Sequence, residues 1–291
     1  MTPAPPRLAS RPRGLIITAD DFGMAMAVNE AVETSHRDGV LSAASLMVSA
    51  PESADAVGRA KRLPDLRVGL HVVLVDGVPT LPPREVPHLV DRDGRFRSNM
   101  TAAGATMFFH PAARRELAAE IEAQFQAFQA TGLQLDHVNA HKHFHLHPTI
   151  AGLILKLGVR YGARAIRVPI EPAAVLNAVE MDAPVRPDRL LHAWARLARA
   201  RIRRAGMLVP DRVFGLRWSG HMSAERLEGL IRALPPGLAE IYLHPATNGG
   251  FAGAAPGYAY GAELAALLSP SVARALSESG ARRGGFADFA Q

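Results

Sequence analysis

The strongest constraint on the fold is a regular alternation of short apolar runs with amphipathic segments. Runs typical of buried strands lie at residues 14–19, 41–48, 68–74, 134–140, 165–168, 212–216 and 238–243. Segments with helical spacing lie at residues 26–37, 51–63, 112–130, 148–161, 187–205, 223–234 and 262–268. Seven or eight strand–helix units without a GxGxxG motif favour a single α/β domain over residues 13–291, folded as an irregular (β/α) TIM-like barrel.

Two segments fall outside this alternation. Residues 1–12 are basic and proline-rich, and we expect them to form a disordered N-terminal extension. Residues 75–111 lose periodicity, carry clustered prolines and are long enough to be a lid or a rim loop. The apolar run at 14–19 is too short for a signal-peptide core or a membrane span, so the cytoplasm is the expected location.

Composition restricts both the chemistry and the partners. The 291 residues include no Cys, which excludes disulfides, thiolate catalysis, iron–sulfur clusters and Cys-based zinc sites. A metal ion would therefore have to be bound by His, Asp or Glu. The net charge of +6 is modest, only 6% of the residues are aromatic, and no recognised nucleic-acid motif is present, so nucleic acid is not an expected partner.

The residues with catalytic potential lie where predicted strands end. Asp20 and Asp21 follow the first run, His71 lies within the third, and His244 follows the last. Each has an ordinary explanation when taken alone: a helix cap, a solvated carboxylate, a hydrogen-bonded core residue or a turn residue. A barrel brings strand ends together, so their joint occurrence predicts one site in which one carboxylate binds a metal and another accepts a proton.

A second feature is an internal histidine array. Five histidines occupy every second position from 137 to 147 except position 139: His137, His141, His143, His145 and His147. In an extended chain such residues share a face and advance by about 6.6 Å per step, so at most two neighbours can contact one ion. The array predicts a metal-binding or proton-transfer role for some members, and structural or substrate-facing positions for the others.

These motifs together resemble the YdjC-like carbohydrate deacetylase family. The resemblance rests on Ala-Asp-Asp-Phe-Gly at residues 19–23 with Asn29, on Gly-Leu-His at 69–71, on the array at 141–145 and on His244-Pro245. It runs in order and spacing from about residue 13 to the end. The segments at 74–83, 136–148 and 282–288 are most similar to the hopanoid-biosynthesis-associated branch.

The resemblance implies a distorted (β/α) barrel and a divalent-metal hydrolase that removes acetyl groups from N-acetylated amino sugars. By motif matching, Asp21, His71 and His141 would hold one divalent metal ion, Asp20 would be the general base and His244 the general acid. Zn or Mg is favoured, and Mn, Co and Ni suit the same ligands.

One departure from the family pattern concerns the group that orients His141. Many relatives carry Asp-Ser before this histidine, whereas this chain has Asn139 and Ala140, so an expected supporting carboxylate is missing. Four polar residues are expected to support the ligands or face the substrate: His143, His145, Arg167 and Asn139.

The branch resemblance implies an N-acetylglucosaminyl hopanoid lipid as the substrate. The predicted helix at 187–205 is arginine-rich and carries Trp194, Leu197 and Ile202 on an apolar side, so it could lie on the inner face of the cytoplasmic membrane. A helix that covers the barrel, or a homodimer contact, explains the same pattern. Two other functions stay open: a phosphodiesterase-like metal hydrolase and a non-catalytic glycolipid-binding protein.

Overall fold

The computed structural model describes residues 12–181 and 189–290, with the backbone alone for residues 189–192. The predicted N-terminal extension lies outside these residues except for Pro12, as does the start of the helix predicted at 187–205. The described strands are β1 (Arg13–Phe22), β2 (Ala43–Leu46), β3 (Arg67–Val72), β4 (Val138–Ala140), β5 (Arg212–Phe214), β6 (Gly237–Leu243) and β7 (Arg282–Arg283).

The described α-helices are α1 (Met26–Asp38), α2 (Ser53–Lys61), α3 (Met100–Phe109), α4 (Pro111–Ala130), α5 (Pro148–Arg160), α6 (Ala173–Val179), α7 (Arg189–Arg204), α8 (Ala224–Arg232), α9 (Tyr260–Leu268) and α10 (Pro270–Ser279). Two 3-10 segments lie at Pro83–Glu85 and His141–Leu146. Helices follow most strands, as the alternation of the sequence predicts. Of these helices, α3, α6 and α10 are not predicted by the apolar periodicity.

The strands form one curled parallel sheet in the order β4-β3-β2-β1-β6-β5, with β7 paired to the start of β1. Between β4 and β5, the chain from 164 to 170 makes backbone hydrogen bonds to both: Val138 N–H donates to Ala165 at 2.9 Å, and Val213 N–H donates to Ile170 at 3.1 Å. The strand predicted at 165–168 is reduced to isolated bridges. Pro169 follows it and lacks the N–H that a longer ladder needs.

The prediction of a single α/β domain is confirmed, and the prediction of a TIM-like barrel is confirmed only in part. The described residues form a curled, partial barrel of parallel strands rather than a complete eight-stranded one. The central strand β1 is buried at every position after Arg13, because β2 and β6 flank it and helices cover it. Its carboxyl end therefore carries Asp20 and Asp21 into the interior.

The excursion at 75–111 packs against α4 and contains α3. The Glu120 carboxylate accepts hydrogen bonds from the backbone N–H groups of Thr80 at 2.8 Å and Leu81 at 2.9 Å. The sequence of α3 is apolar with little helical periodicity, which explains why no helix is predicted there. The excursion forms part of the rim of the site, and its closure over a substrate stays a prediction.

Helix α7 covers the barrel with part of its predicted apolar side. The Trp194 indole N–H donates to the Leu146 carbonyl at 2.6 Å, and Ile202 is buried, so both face the protein. Leu197 is 55% exposed. Within the described part of the chain, no helix combines the length and apolarity needed to span a membrane.

Candidate active site

The predicted site residues from separate strand ends meet at one cavity of about 540 Å³. It lies at the carboxyl ends of the parallel strands, as expected for this class of fold. Six of the residues singled out from the sequence line it: Asp20, Asp21, His71, His141, His143 and His244. His145, Arg167 and Asn139 are buried behind this lining.

A bulge at the end of β1 directs two neighbouring carboxylates toward the same cavity. Adjacent strand residues normally point to opposite faces. Here the pairing of β1 with β2 shifts between Ala19 and Phe22, and Asp21 adopts a left-handed φ of 63°. Asn29 of α1 fixes the following turn, because its side-chain oxygen accepts the Gly23 N–H at 2.8 Å.

Asp21, His71 and His141 form a candidate metal-binding group. Asp21 Oδ1 lies 3.2 Å from His71 Nε2 and 3.0 Å from His141 Nδ1, and one ligand atom from each residue lies within 4.8 Å of the others. Ligand atoms that each bind one ion at about 2.1 Å are separated by roughly 3 Å. The spacing and the donor set of one carboxylate and two imidazoles therefore fit a divalent cation.

Asn139 orients His71 rather than His141. The register of β3 and β4 places His71 beside Asn139, whose Oδ1 lies 2.7 Å from His71 Nδ1. This contact turns Nε2 of His71 toward Asp21. Burial lowers the pKa of His71, but the carboxylates of Asp20 and Asp21 outweigh it, so this pKa is raised overall. The amide therefore positions His71, whereas the missing carboxylate was expected to orient His141.

Asp20 belongs to a buried ion-pair network centred on Arg167. Arg167 donates to Asp20 through Nη1 at 2.5 Å and Nη2 at 3.0 Å, and to Glu240 Oε1 through Nε at 2.9 Å. Asn139 Nδ2 donates to Asp20 Oδ1 at 3.2 Å. Burial raises the pKa of Asp20, but Arg167 and His71 outweigh it and hold this pKa far below its ordinary value. Asp20 is therefore ionised at neutral pH.

The histidine array is not extended beyond residue 140, where the strand predicted at 134–140 also ends. The chain turns into a 3-10 segment in which Lys142 and His143 have φ of 52° and 53°. The turn brings His141 and His143 to the cavity, where His143 Nε2 lies 2.7 Å from the Tyr242 hydroxyl. Burial lowers the pKa of His145 to about 3, so this ring is neutral.

His244 follows β6 at the same level as the Asp pair. The register of β1 with β6 places Ala19 beside Leu243, so Asp20 and His244 leave neighbouring strands together. The backbone N–H of His244 donates to Glu263 Oε2 at 2.5 Å, while its Nδ1 is 4.0 Å from that oxygen. The imidazole is thus held at the cavity wall without a strong side-chain hydrogen bond to Glu263.

Several cavity residues are not predicted from the sequence. Lys142 and Asp76 form an ion pair in the cavity wall. Four non-glycine residues in the described ranges have positive φ, and all four line the cavity: Asp21, Asp76, Lys142 and His143. Strained backbone of this kind concentrates at functional sites. Glu240, which is buried behind the cavity and pairs with Arg167, has a sequence signal, because it is a lone charge within the apolar run at 238–243.

The fold and the site together define an α/β protein with an Asp–His–His group at the carboxyl ends of its parallel strands. The profile of the YdjC-like protein family matches residues 14–278. The chain therefore belongs to the YdjC-like family.

Curated relatives agree with this assignment, and a solved structure shares the fold. The chain is 40% identical over 156 residues to a carbohydrate deacetylase of Brevibacillus brevis, covering 54% of this chain and 58% of that protein. It is 35% identical over 162 residues to a carbohydrate deacetylase of Geobacillus stearothermophilus, covering 55% and 60%. The matches thus span about three fifths of the length of these relatives.

The solved structure is that of a candidate cellobiose-phosphate cleavage protein from Enterococcus faecalis V583. It superposes with a TM-score of 0.75 at 23% identity and covers 96% of this chain and 100% of the other. This likeness supports the fold.

Proposed function

We propose that this protein is a metal-dependent carbohydrate N-deacetylase. The proposal depends on one observation: Asp21, His71 and His141 converge in one cavity, and a second carboxylate, that of Asp20, lines the same cavity. The names of the curated relatives support the reaction class, since both are called carbohydrate deacetylases.

Asp21, His71 and His141 are the proposed ligands of one divalent ion. A three-residue set leaves coordination positions open, as is usual for catalytic rather than structural sites. When bound, the ion polarises the acetamide carbonyl and lowers the pKa of water toward neutrality. Zn and Mg are the favoured ions, with Mn, Co and Ni as alternatives for the same donors.

The proton transfers are assigned to Asp20 and His244. Asp20 is ionised and lines the cavity, so it can accept the proton of the attacking water as general base. An amide nitrogen leaves poorly unless it is protonated, so a second group must donate a proton to the departing amine. His244 lines the same cavity from the neighbouring strand and is the proposed general acid.

The surrounding polar residues have supporting roles in this proposal. Arg167 and Asn139 hold the Asp20 carboxylate in place. His143, paired with the Tyr242 hydroxyl, faces the cavity as a hydrogen-bonding group for the substrate. His145 is neutral and buried, so its proposed role is to support the turn that carries His141.

The proposed substrate class is an N-acetylated amino sugar, and its finer identity rests on the branch resemblance. A cavity of about 540 Å³ is of the size that holds small ligands. The resemblance points to an N-acetylglucosaminyl hopanoid lipid. Such a substrate would favour a cytoplasmic protein that contacts the inner face of the membrane peripherally, through the exposed side chains of Leu197, Arg196, Arg201 and Arg204 on α7. A homodimer contact through the same face is the alternative.

Acetate release tests the proposal directly. The wild-type protein, loaded with each candidate ion, is incubated with an N-acetylglucosaminyl lipid and with N-acetylated chito-oligosaccharides. Acetate release that is lost in Asp20→Asn and His141→Ala supports deacetylation, and activity on the lipid alone supports the hopanoid branch. Turnover of a phosphodiester without acetate release favours the phosphodiesterase alternative. Lipid binding without turnover of either substrate favours the binding-protein alternative.

A further inference from the structure

A series of buried hydrogen bonds connects Asp136, which lies two residues before β4, to the candidate metal ligand His71. Asp136 Oδ2 lies 2.9 Å from His137 Nδ1, and His137 Nε2 lies 3.0 Å from Ser45 Oγ. Asn139 Nδ2 donates to Ser45 Oγ at 2.9 Å, and Asn139 Oδ1 lies 2.7 Å from His71 Nδ1. The path therefore runs from Asp136 through three intermediate side chains to His71.

The Asp136–His137–Ser45 order is that of a hydrolase triad, but burial excludes a nucleophilic role. The three side chains belong to residues that are 2%, 0% and 0% exposed, so no substrate carbonyl can reach Ser45. Gly69 is part of this packing, because a Cβ there would lie 2.5 Å from the His137 ring. The arrangement must therefore act through its neighbours.

The C-terminal segment fixes the direction of the first hydrogen bond. The Asp136 carboxylate accepts the backbone N–H groups of Phe286 at 3.1 Å and Ala287 at 2.7 Å. The Phe286 ring stacks on His137 with centroids 4.1 Å apart. Asp136 is held as an acceptor, so His137 carries its proton on Nδ1. With the ring proton on Nδ1, the His137 Nε2 lone pair accepts the Ser45 hydroxyl proton.

The direction of the remaining bonds follows from this start. Ser45 has used its one proton, so it accepts from the Asn139 amide NH₂, which also donates to Asp20. Asn139 is left to present its oxygen to His71. Either oxygen of a carboxylate could accept the His71 Nδ1–H. The Asn139 amide can do so only with its oxygen, so neighbouring groups must select the orientation in which this oxygen faces His71. A flipped amide would set its oxygen against Asp20 and its NH₂ against His71 Nδ1.

We propose that Asp136, His137 and Ser45 are positioning residues that fix the Asn139 amide, so that His71 is protonated on Nδ1 and presents a lone pair on Nε2 to the metal ion. The C-terminal segment 282–288 anchors this relay through Phe286 and Ala287. The proposal rests on the proposed function only in assigning His71 as a metal ligand. The segment 282–288 thereby has a role in the site although none of its residues lines the cavity.

The wild-type protein provides the first test, without any substitution. Long-range ¹H–¹⁵N spectra of the metal-free protein report which ring nitrogen of each histidine carries the proton. We expect His71 and His137 both to be protonated on Nδ1. A proton on Nε2 alone at either ring would overturn the proposal, whether or not the protein hydrolyses any sugar.

The second test compares Ser45→Ala with Ser42→Ala. Ser42 is also buried near the start of β2, but its hydroxyl bonds only the Ile17 backbone among its described partners. We expect Ser45→Ala to weaken Zn²⁺ binding to the metal-free protein by about tenfold and to mix the His71 tautomers, and Ser42→Ala to change neither. Equal affinities and an unchanged His71 spectrum in Ser45→Ala would contradict the relay. If Ser45→Ala does not fold, the wild-type spectrum decides the question.

Discussion

Replacement of Arg167 by Met is expected to destabilise the protein far more than the loss of an exposed ion pair. The Arg167 side chain is 0% exposed and bonds both Asp20 and Glu240, which are themselves buried. The substitution leaves two buried carboxylates without their cation. Removal of one partner from a buried ion pair typically costs about 3–5 kcal/mol. For a domain of this size, that corresponds to a decrease in Tm of roughly 10 °C.

The pH dependence of this loss has a defined sign. In the wild type the pKa of Asp20 is lowered, so its contribution to stability is present above the unfolded value of 3.8 and is lost as the pH falls further. Without Arg167, burial raises the pKa of Asp20 above the unfolded value of 3.8. The free energy of unfolding of the variant therefore increases as the pH falls from neutral toward 3.8, because the buried carboxylate becomes protonated. The difference in Tm between the two proteins is therefore expected to narrow on acidification from neutral pH.

Thermal unfolding in EDTA measures this effect without a contribution from metal binding. Arg160→Met is the matched control, because Arg160 pairs with Glu122 at 2.5 Å but its side chain is 66% exposed, and such pairs contribute at most about 1 kcal/mol. The double variant Arg167→Met/Glu240→Gln should recover part of the loss. Equal Tm decreases for Arg167→Met and Arg160→Met, or a difference that does not change with pH, would refute the reasoning.

Three further predictions concern the site. His141→Ala should remove stoichiometric Zn²⁺ binding in calorimetry while Tm in EDTA changes little, and retained binding would contradict the ligand assignment. Asp20→Asn should lower kcat for acetate release by about 10²–10⁴-fold with Zn²⁺ affinity retained, and near-normal kcat would exclude it as the base. In the wild type, the His145 ring stays neutral in the folded protein but is protonated in the unfolded chain between pH 6.5 and about 3, so Tm should decrease over this range. His145→Leu should make this decrease smaller. An unchanged slope of Tm against pH would contradict the prediction.

The positions of the site residues along the chain could be predicted because they depend on strand ends. Asp20, Asp21, His71 and His244 each stand at or near the end of a recognisable apolar run, and parallel strands bring such ends together. The apolar runs also predicted a single α/β domain. These inferences need only the local pattern of the sequence and the rule that connects it to a sheet.

The features that could not be predicted depend on backbone conformation and register. The positive φ angles of Lys142 and His143 break the alternation of the histidine array, and no glycine marks the turn. The contact between Asn139 and His71 exists because β3 and β4 pair in one particular register. The strand predicted at 165–168 is only bridged to its neighbours, so the predicted irregular TIM-like barrel is a partial one, which the apolar residues at 165–168 do not indicate.

An anomalous-scattering map of crystals grown with Zn²⁺ tests the central claim most directly. We predict one strong peak within about 2.3 Å of Asp21 Oδ1, His71 Nε2 and His141 Nδ1, in the cavity that also contains Asp20 and His244. A peak bound by other residues, or three ligand atoms that remain too far apart to share one ion in a zinc-saturated crystal, would contradict the account.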